Sequence, residues 1–164
     1  MSKKFSWRTT ATRIVPTTEE DGYQRVFGAK VLEQKPPVYD NCCATFQVTP
    51  KTVFTYGDTL YNPFKLHLSE DLVEHEKVHM GQHKHNETDA ALWWGKYLRD
   101  SLFRFEQEAM AYGRQYSFIC EKVRDRNEQE RVLVQLSRIL SGPLYGNCTY
   151  ADEARVMILK FANT

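Results

Sequence analysis

The spacing of apolar residues along the chain changes near residue 69, where a period of two gives way to a helical period. Before this point, β-branched and aromatic residues occur in short runs separated by Gly, Pro and Asn. The runs 44–48 and 52–56 predict a hairpin, and the alternating run 64–68 predicts a half-buried strand. Shorter strands are expected near 26–27 and 30–32. The pattern therefore predicts a small strand-rich N-terminal part.

After Ser69, apolar residues recur at helical spacing, and capping or breaking residues separate the helices. Ser69 is a suitable N-cap because its hydroxyl can accept a hydrogen bond from a free backbone N–H group. Thr88 or Asp89 could cap the second helix. The predicted helices cover about 70–84, 89–98, 101–122, 127–140 and a last segment from about 149. The fold class predicted is α+β, with a helical C-terminal half.

The first 22 residues are polar, so we expect a loosely ordered lead-in in which Ile14-Val15 could form a short strand. A chain of 164 residues has the length of one domain. No internal repeat and no low-complexity tract interrupts it. We therefore expect residues 1–164 to form a single domain.

Composition and charge exclude several classes of partner. The chain has 22 Lys and Arg against 21 Asp and Glu, so no long-range field favours nucleic acid or an anionic membrane. No apolar run approaches the length of a membrane span or of a signal peptide. The four cysteines lack the spacing of a disulfide framework. We expect a cytoplasmic protein with reduced thiols that binds neither nucleic acid nor a membrane.

Histidine is concentrated in one segment, because four of the five histidines lie within residues 75–85. This segment contains the HExxH motif His75-Glu76-Lys77-Val78-His79. Two histidines four residues apart on a helix are offset by about 40° and about 6 Å, so both can bind one metal ion. Glu76 lies beside them, where its carboxylate could take a proton from metal-bound water. The motif predicts a metal site with Glu76 as general base.

A catalytic zinc site needs a third protein ligand. His85 is one candidate because its spacing imitates the metzincin pattern, but Gln82 stands where that pattern needs a glycine. Glu106 and Glu108 on the third predicted helix are the others. Glu108 borders the apolar stripe, whereas Glu106 lies about 200° away from it. Helix geometry favours Glu108, with Glu106 and His85 as alternatives. We expect His83 to lie at the protein surface, or to contact the ligand residues without binding the metal itself.

Three segments of the chain resemble a known family. They are similar to the small zinc metallopeptidase-like proteins of the gluzincin type found in bacteria and phages, and they lie within about 64–116. In that family the third ligand is the glutamate of a Glu-x-x-Ala-(Asp or Tyr) motif, which Glu108 begins and Glu106 does not. The resemblance implies Glu108 as the third ligand. Tyr112 stands where many members have an aspartate that orients a ligand histidine. The segments are 68–82, 93–98 and 103–112.

The resemblance implies a zincin-like fold and zinc-dependent hydrolysis of peptide bonds. Zn²⁺ would be held by His75, His79 and Glu108, and Glu76 would be the general base for zinc-bound water. Strand 64–68 would be an edge strand that packs on the HExxH helix and pairs with an extended peptide substrate. An oxyanion-stabilising residue is also expected. The candidates are Tyr112, Tyr116 and His83.

Two other functions are compatible with the same residues. A structural or phage-particle assembly protein could retain the fold and use the metal only to hold two helices together, as a virion component. One of the adjacent residues Trp93 and Trp94 could then be exposed as an interface anchor. A peptidoglycan amide hydrolase would apply the same zinc chemistry to another amide.

Overall fold

The structure is a computed structural model that describes residues 22–164. The predicted lead-in, with Ile14-Val15, lies outside the described residues except for Gly22. The described part is α+β, with a small mixed sheet and six helices, which confirms the predicted fold class at that level. None of its helices is long and apolar enough to cross a membrane.

Helices dominate the described part, and most of them begin where the sequence predicts. Asn86 caps the second predicted helix through its side chain, so the predicted caps Thr88 and Asp89 are wrong. Ser69 precedes its helix, but its side chain makes no capping hydrogen bond. The strands are β1 Gln24–Val26, β2 Ala29–Leu32, β3 Phe54–Tyr56 and β4 Thr59–Tyr61. The helices are α1 Tyr39–Thr45, α2 Glu70–Gln82, α3 Glu87–Arg99, α4 Ser101–Lys122, α5 Arg126–Leu140 and α6 Ala151–Ala162, with a 3₁₀ turn at Pro143–Tyr145.

In the part of the chain that the structure describes, the sheet has the order β1-β2-β4-β3, so β3 lies at its edge. Two antiparallel hairpins, β1–β2 and β3–β4, are joined by the parallel pairing of β2 with β4. Gly57 adopts a φ of +65° in the turn between β3 and β4, a conformation that favours glycine. The two-residue turn Gly57-Asp58 therefore sets the register of β3.

The hairpin predicted from 44–48 and 52–56 is wrong. Tyr39–Thr45 is helical, and Phe54–Tyr56 pairs with β4 instead. Thr49 and Thr52 bond to each other locally: Thr49 N–H donates to Thr52 Oγ1 at 3.1 Å, and Thr52 N–H donates to the Thr49 carbonyl at 3.0 Å. These bonds occupy backbone groups that would otherwise form hydrogen bonds between the two strands of the predicted hairpin.

The strand predicted over 64–68 is also wrong. The side chain of Asn62 bonds both backbone groups of Leu66, with Leu66 N–H donating to Oδ1 at 2.9 Å and Nδ2 donating to the Leu66 carbonyl at 2.8 Å. Lys65 has a φ of +53°, which an extended strand does not allow. Residues 64–68 are therefore not a strand of the sheet. The edge strand that contacts α2 is β3 instead.

The core consists of three apolar clusters that hold the helices around the sheet. One cluster packs α4 against α5 and α6, a second joins α1 and α3 to β3 and β4, and a third packs α2 against β2 and β4. Trp93 and Trp94 are both buried in the second cluster. The prediction that one of them is an exposed interface anchor is therefore wrong.

Candidate metal centre

Helix α2 carries both histidines of the HExxH motif on its buried side. His75 is 4% exposed and His79 is 5% exposed. Their Nε2 atoms lie 3.3 Å apart, as expected for residues one helical turn apart. Val73 and Met80 of the same helix pack toward the sheet. This packing anchors α2 while the two imidazole rings point together toward a common space.

Helix α4 brings Glu108 into that space. Glu108 Oε2 lies 3.3 Å from His75 Nε2 and 3.5 Å from His79 Nε2. Glu106 is exposed on another side of α4, and His85 is exposed beyond the end of α2, where it has a φ of +55°. The structure thus brings His75, His79 and Glu108 together and leaves the alternatives Glu106 and His85 apart.

The three facing atoms fit a single metal ion. Ligand atoms at about 2.0–2.2 Å from a tetrahedral ion lie about 3.3–3.6 Å from one another. Glu108 Oε2 is buried and has no hydrogen-bond partner among residues 22–164, a costly state for a carboxylate oxygen unless a cation compensates it. Within the described residues, the group His75, His79 and Glu108 could therefore hold a metal ion.

The charges of these ligands depend on one another. Burial alone would lower the pKa of His79, but the carboxylate of Glu108, helped by Glu76 and Gln82, raises it to about 9. Burial alone would raise the pKa of Glu108, but His79 and His75 hold it well below its usual range. Without a metal ion, a proton on His79 therefore balances the Glu108 carboxylate. A metal ion would replace that proton.

Each ligand has a further hydrogen bond on the side away from the common space. Gln115 Oε1 lies 3.1 Å from His75 Nδ1, and Gln82 Oε1 lies 2.8 Å from His79 Nδ1. Two glutamines, and not the residue at position 112, thus make these contacts. Tyr112 instead packs edge-on against His75, with ring centroids 4.5 Å apart.

Glu108 is oriented by Tyr97, whose hydroxyl donates to Oε1 at 2.6 Å. This bond leaves Oε2 facing the histidines. Sequence reasoning missed Tyr97, Gln82 and Gln115 as supporting residues. One signal was available for Gln115, because it follows Glu108 by two helical turns and shares its face of α4. Tyr97 had no comparable signal, since only packing brings α3 beside α4.

Glu76 is 6% exposed and lies at the contact between α2 and β3. The hydroxyl of Thr55 on β3 donates to Glu76 Oε2 at 2.7 Å. A cavity of about 310 Å³ is lined by Glu76 together with the three ligand residues. Most of its other walls are apolar, and exposed Lys51 lies on its rim. The candidate base and the candidate ligands therefore share one cavity.

His83 is fully buried, so the expectation of a surface position is wrong. Its ring packs edge-on against Trp93, with centroids 4.5 Å apart, and neither ring nitrogen has a hydrogen-bond partner within the described chain. Burial, with a smaller effect of His79, lowers the pKa of His83 to about 3. His83 is therefore a neutral residue in the wall of the cavity.

The hydroxyl group of Tyr112 is hydrogen-bonded to the hydroxyl group of Tyr145, with the two oxygen atoms 2.8 Å apart.

No known protein family, curated protein or solved structure matches the chain. Two imidazole nitrogens and one carboxylate oxygen converge in a buried space, and a second carboxylate lies beside them in the same cavity. Nitrogen and oxygen ligands of this kind suit several divalent ions, zinc among them.

Proposed function

We propose that the chain is a zinc-dependent peptidase with a zincin-like fold of the gluzincin type. The observation that carries this proposal is the convergence of His75, His79 and Glu108 beside Glu76 at one cavity. Catalytic zinc sites use three protein ligands and keep a position for water, whereas structural sites have four. The set of three ligands found in the described residues therefore favours catalysis.

The residues of the chain have separate tasks in this reaction. A bound zinc ion would supply Lewis acidity, which lowers the pKa of a coordinated water and polarises a substrate carbonyl. Glu76 accepts the proton of the attacking water and later donates it to the leaving amine. Thr55 holds one oxygen of Glu76, which limits the orientations of this carboxylate. The largely apolar walls of the cavity lower the local dielectric constant and thereby strengthen these charge interactions.

The substrate class that fits is an extended peptide or protein segment. Strand β3 lies at the edge of the sheet and contacts α2, so an extended peptide could add to the sheet beside Glu76. The carbonyl of Thr55 already accepts a hydrogen bond of 2.9 Å from Trp94 Nε1. A substrate would therefore pair with other backbone groups along this edge.

One observation favours a second function, in which the metal only stabilises a structural or particle-assembly protein. The ligands come from two helices, α2 and α4, and all are buried. A metal ion between them would tie the two helices together whether or not a substrate binds. Such a role would need the ligands but would not need Glu76.

Zinc content and the Glu76→Gln variant test the proposal together. We expect about one zinc ion per purified chain by elemental analysis. Glu76→Gln should keep the zinc and lose about 10²- to 10⁴-fold of the cleavage of an unstructured protein such as casein. The matched control is Glu70→Gln on the same helix, since Glu70 is exposed.

The possible results separate the functions. A metal-free wild-type chain, purified without chelators, would overturn the zinc site. If Glu76→Gln changes nothing while His75→Ala lowers the melting temperature, the stabilising role is correct. Cleavage of purified peptidoglycan in place of casein would move the substrate to another amide.

A further inference from the structure

Both candidate histidine ligands face a glutamine amide at Nδ1. An amide group can present either its oxygen or its NH₂ group to a ring nitrogen, and the two choices impose opposite tautomers. The acceptors that face the NH₂ group of each glutamine decide between them. In both cases these acceptors lie on the helix opposite the glutamine, and the Met110 sulfur is a second, longer acceptor for Gln82 at 3.8 Å.

Gln115 on α4 is oriented by Asp71 on α2. Gln115 Nε2 donates to Asp71 Oδ2 at 2.8 Å, and a carboxylate can only accept. The oxygen of Gln115 must therefore face His75, 3.1 Å from Nδ1. All three side chains are buried, so water does not compete for these bonds. Nδ1 of His75 then carries the proton, and Nε2 keeps its lone pair.

Gln82 on α2 is oriented by the backbone of α4. Gln82 Nε2 donates to the carbonyl oxygen of Gln107 at 3.2 Å, and a carbonyl also can only accept. The oxygen of Gln82 therefore faces His79, 2.8 Å from Nδ1. Once a metal ion displaces the second proton of His79, this ring has the same tautomer as His75, with its remaining proton on Nδ1. Both Nε2 atoms thus face Glu108 as potential ligand atoms.

We propose that Gln115 and Gln82 are positioning residues that hold His75 and His79 in the metal-binding tautomer, with their own amides oriented by Asp71 and by the Gln107 carbonyl. This inference rests on the proposed zinc site. The two amide bridges cross between α2 and α4 on either side of Glu108. By joining the two helices, they therefore also fix the position of the Glu108 carboxylate relative to His75 and His79.

The tautomer can be observed directly by ¹⁵N NMR of the imidazole rings in the zinc-loaded wild-type chain. We expect both rings to carry their proton on Nδ1 and to bind zinc through Nε2. Binding through Nδ1, or a proton on Nε2 of either ring, would overturn the inference. This measurement needs no variant, so it remains decisive if a substitution prevents folding.

The variants Gln115→Met and Gln82→Met remove each amide with little change in side-chain length. We expect the zinc dissociation constant, measured by chelator competition, to rise about 10- to 100-fold in each. The matched control is Gln129→Met at the start of α5, because the Gln129 amide donates to the Val123 carbonyl at 2.7 Å and contacts neither histidine. Its zinc affinity should equal that of the wild type.

The outcomes distinguish this inference from the proposed function. Unchanged zinc affinity in both variants would overturn the positioning role even if the chain cleaves casein. Weaker zinc binding in the variants, with the Nδ1–H tautomer in the wild type, would support it even if no substrate is cleaved. A wild-type chain that binds no zinc would overturn both.

Discussion

Thr55 on the edge strand β3 donates a hydrogen bond of 2.7 Å to the carboxylate of Glu76 on α2. Thr55 is 2% exposed and Glu76 is 6% exposed, so the bond lies in a dry environment. It joins the strand proposed to receive the substrate to the residue proposed as general base. The orientation of the base therefore depends on the sheet as well as on its own helix.

We expect Thr55→Val to reduce peptide cleavage without removing zinc. A hydrogen bond to a charged group contributes about 1.5–3 kcal/mol, which corresponds to about 10- to 100-fold in rate if it is expressed in the transition state. Thr59→Val on β4 is a matched control, since Thr59 is also buried but bonds to Asp58. Equal kcat/KM values for the two variants would contradict the role given to Thr55.

Glu108→Gln should abolish stable zinc binding, whereas Glu106→Gln should leave it unchanged. The reason is position: Glu108 Oε2 lies 3.3 Å from His75 Nε2, and Glu106 is exposed on another side of α4. The zinc content of each purified variant, measured by elemental analysis, checks this. Loss of zinc in Glu106→Gln alone would show that the structure assigns the wrong glutamate.

The metal-free chain should lose stability as pH rises from about 6.5 to about 9. The pKa of His79 is raised to about 9 in the folded chain, against about 6.5 when unfolded. A raised pKa stabilises the fold below the unfolded value, and this contribution disappears as pH passes through the folded value. The melting temperature of the chelated protein should fall over this range. The His79→Gln variant should not show this part of the decrease.

The stabilisation that bound zinc provides should increase with pH over the same interval, whereas the stability of the metal-free chain decreases. The ion must displace the proton from His79, so binding strengthens as this proton becomes easier to remove. The difference in melting temperature between zinc-loaded and chelated protein should therefore grow from pH 6.5 to 9. A constant difference would indicate that His79 is not a ligand.

Gly113→Ala should destabilise the fold by about 1–3 kcal/mol because the contact between α4 and α6 has no room for a methyl group. A Cβ at this position would lie 2.5 Å from the Cβ of Phe161 and 2.9 Å from its backbone carbonyl carbon. Gly81→Ala is the matched control, since no described atom beyond its chain neighbours and the local backbone of its own helix lies within 4 Å of its Cβ position. Helix propensity predicts that this control gains about 0.5–1 kcal/mol. Urea unfolding of both variants would compare the two effects.

Local sequence patterns were sufficient for the helices and for part of the site. The boundaries of α4 and α5 follow from apolar spacing, and the HExxH motif places His75 and His79 on one face of α2 because a helix repeats every 3.6 residues. The position of each residue around the helix axis also distinguishes Glu108, next to the apolar stripe, from Glu106. These inferences need only the geometry of one helix at a time.

Local patterns placed strands near β2 and β3, but they were wrong for 44–48 and 64–68. The alternation in 64–68 resembles a strand, but Asn62 satisfies the backbone of Leu66 from four residues away. Strand pairing depends on partners that are often distant in sequence, as in the parallel pairing of Lys30 with Thr59. Local alternation contains no information about such partners.

The sequence by itself determined that two histidines and a neighbouring glutamate share one helix, since these residues lie within two turns of each other. Only the tertiary structure decided which other residues complete the site around them. The packing of α4 against α2 brings Glu108 to 3.3 Å from His75, and the hairpin β3–β4 brings Thr55 to Glu76. The physical reason is that helical periodicity is a property of consecutive residues, whereas contacts between helices and strands arise from burial of apolar faces along the whole chain.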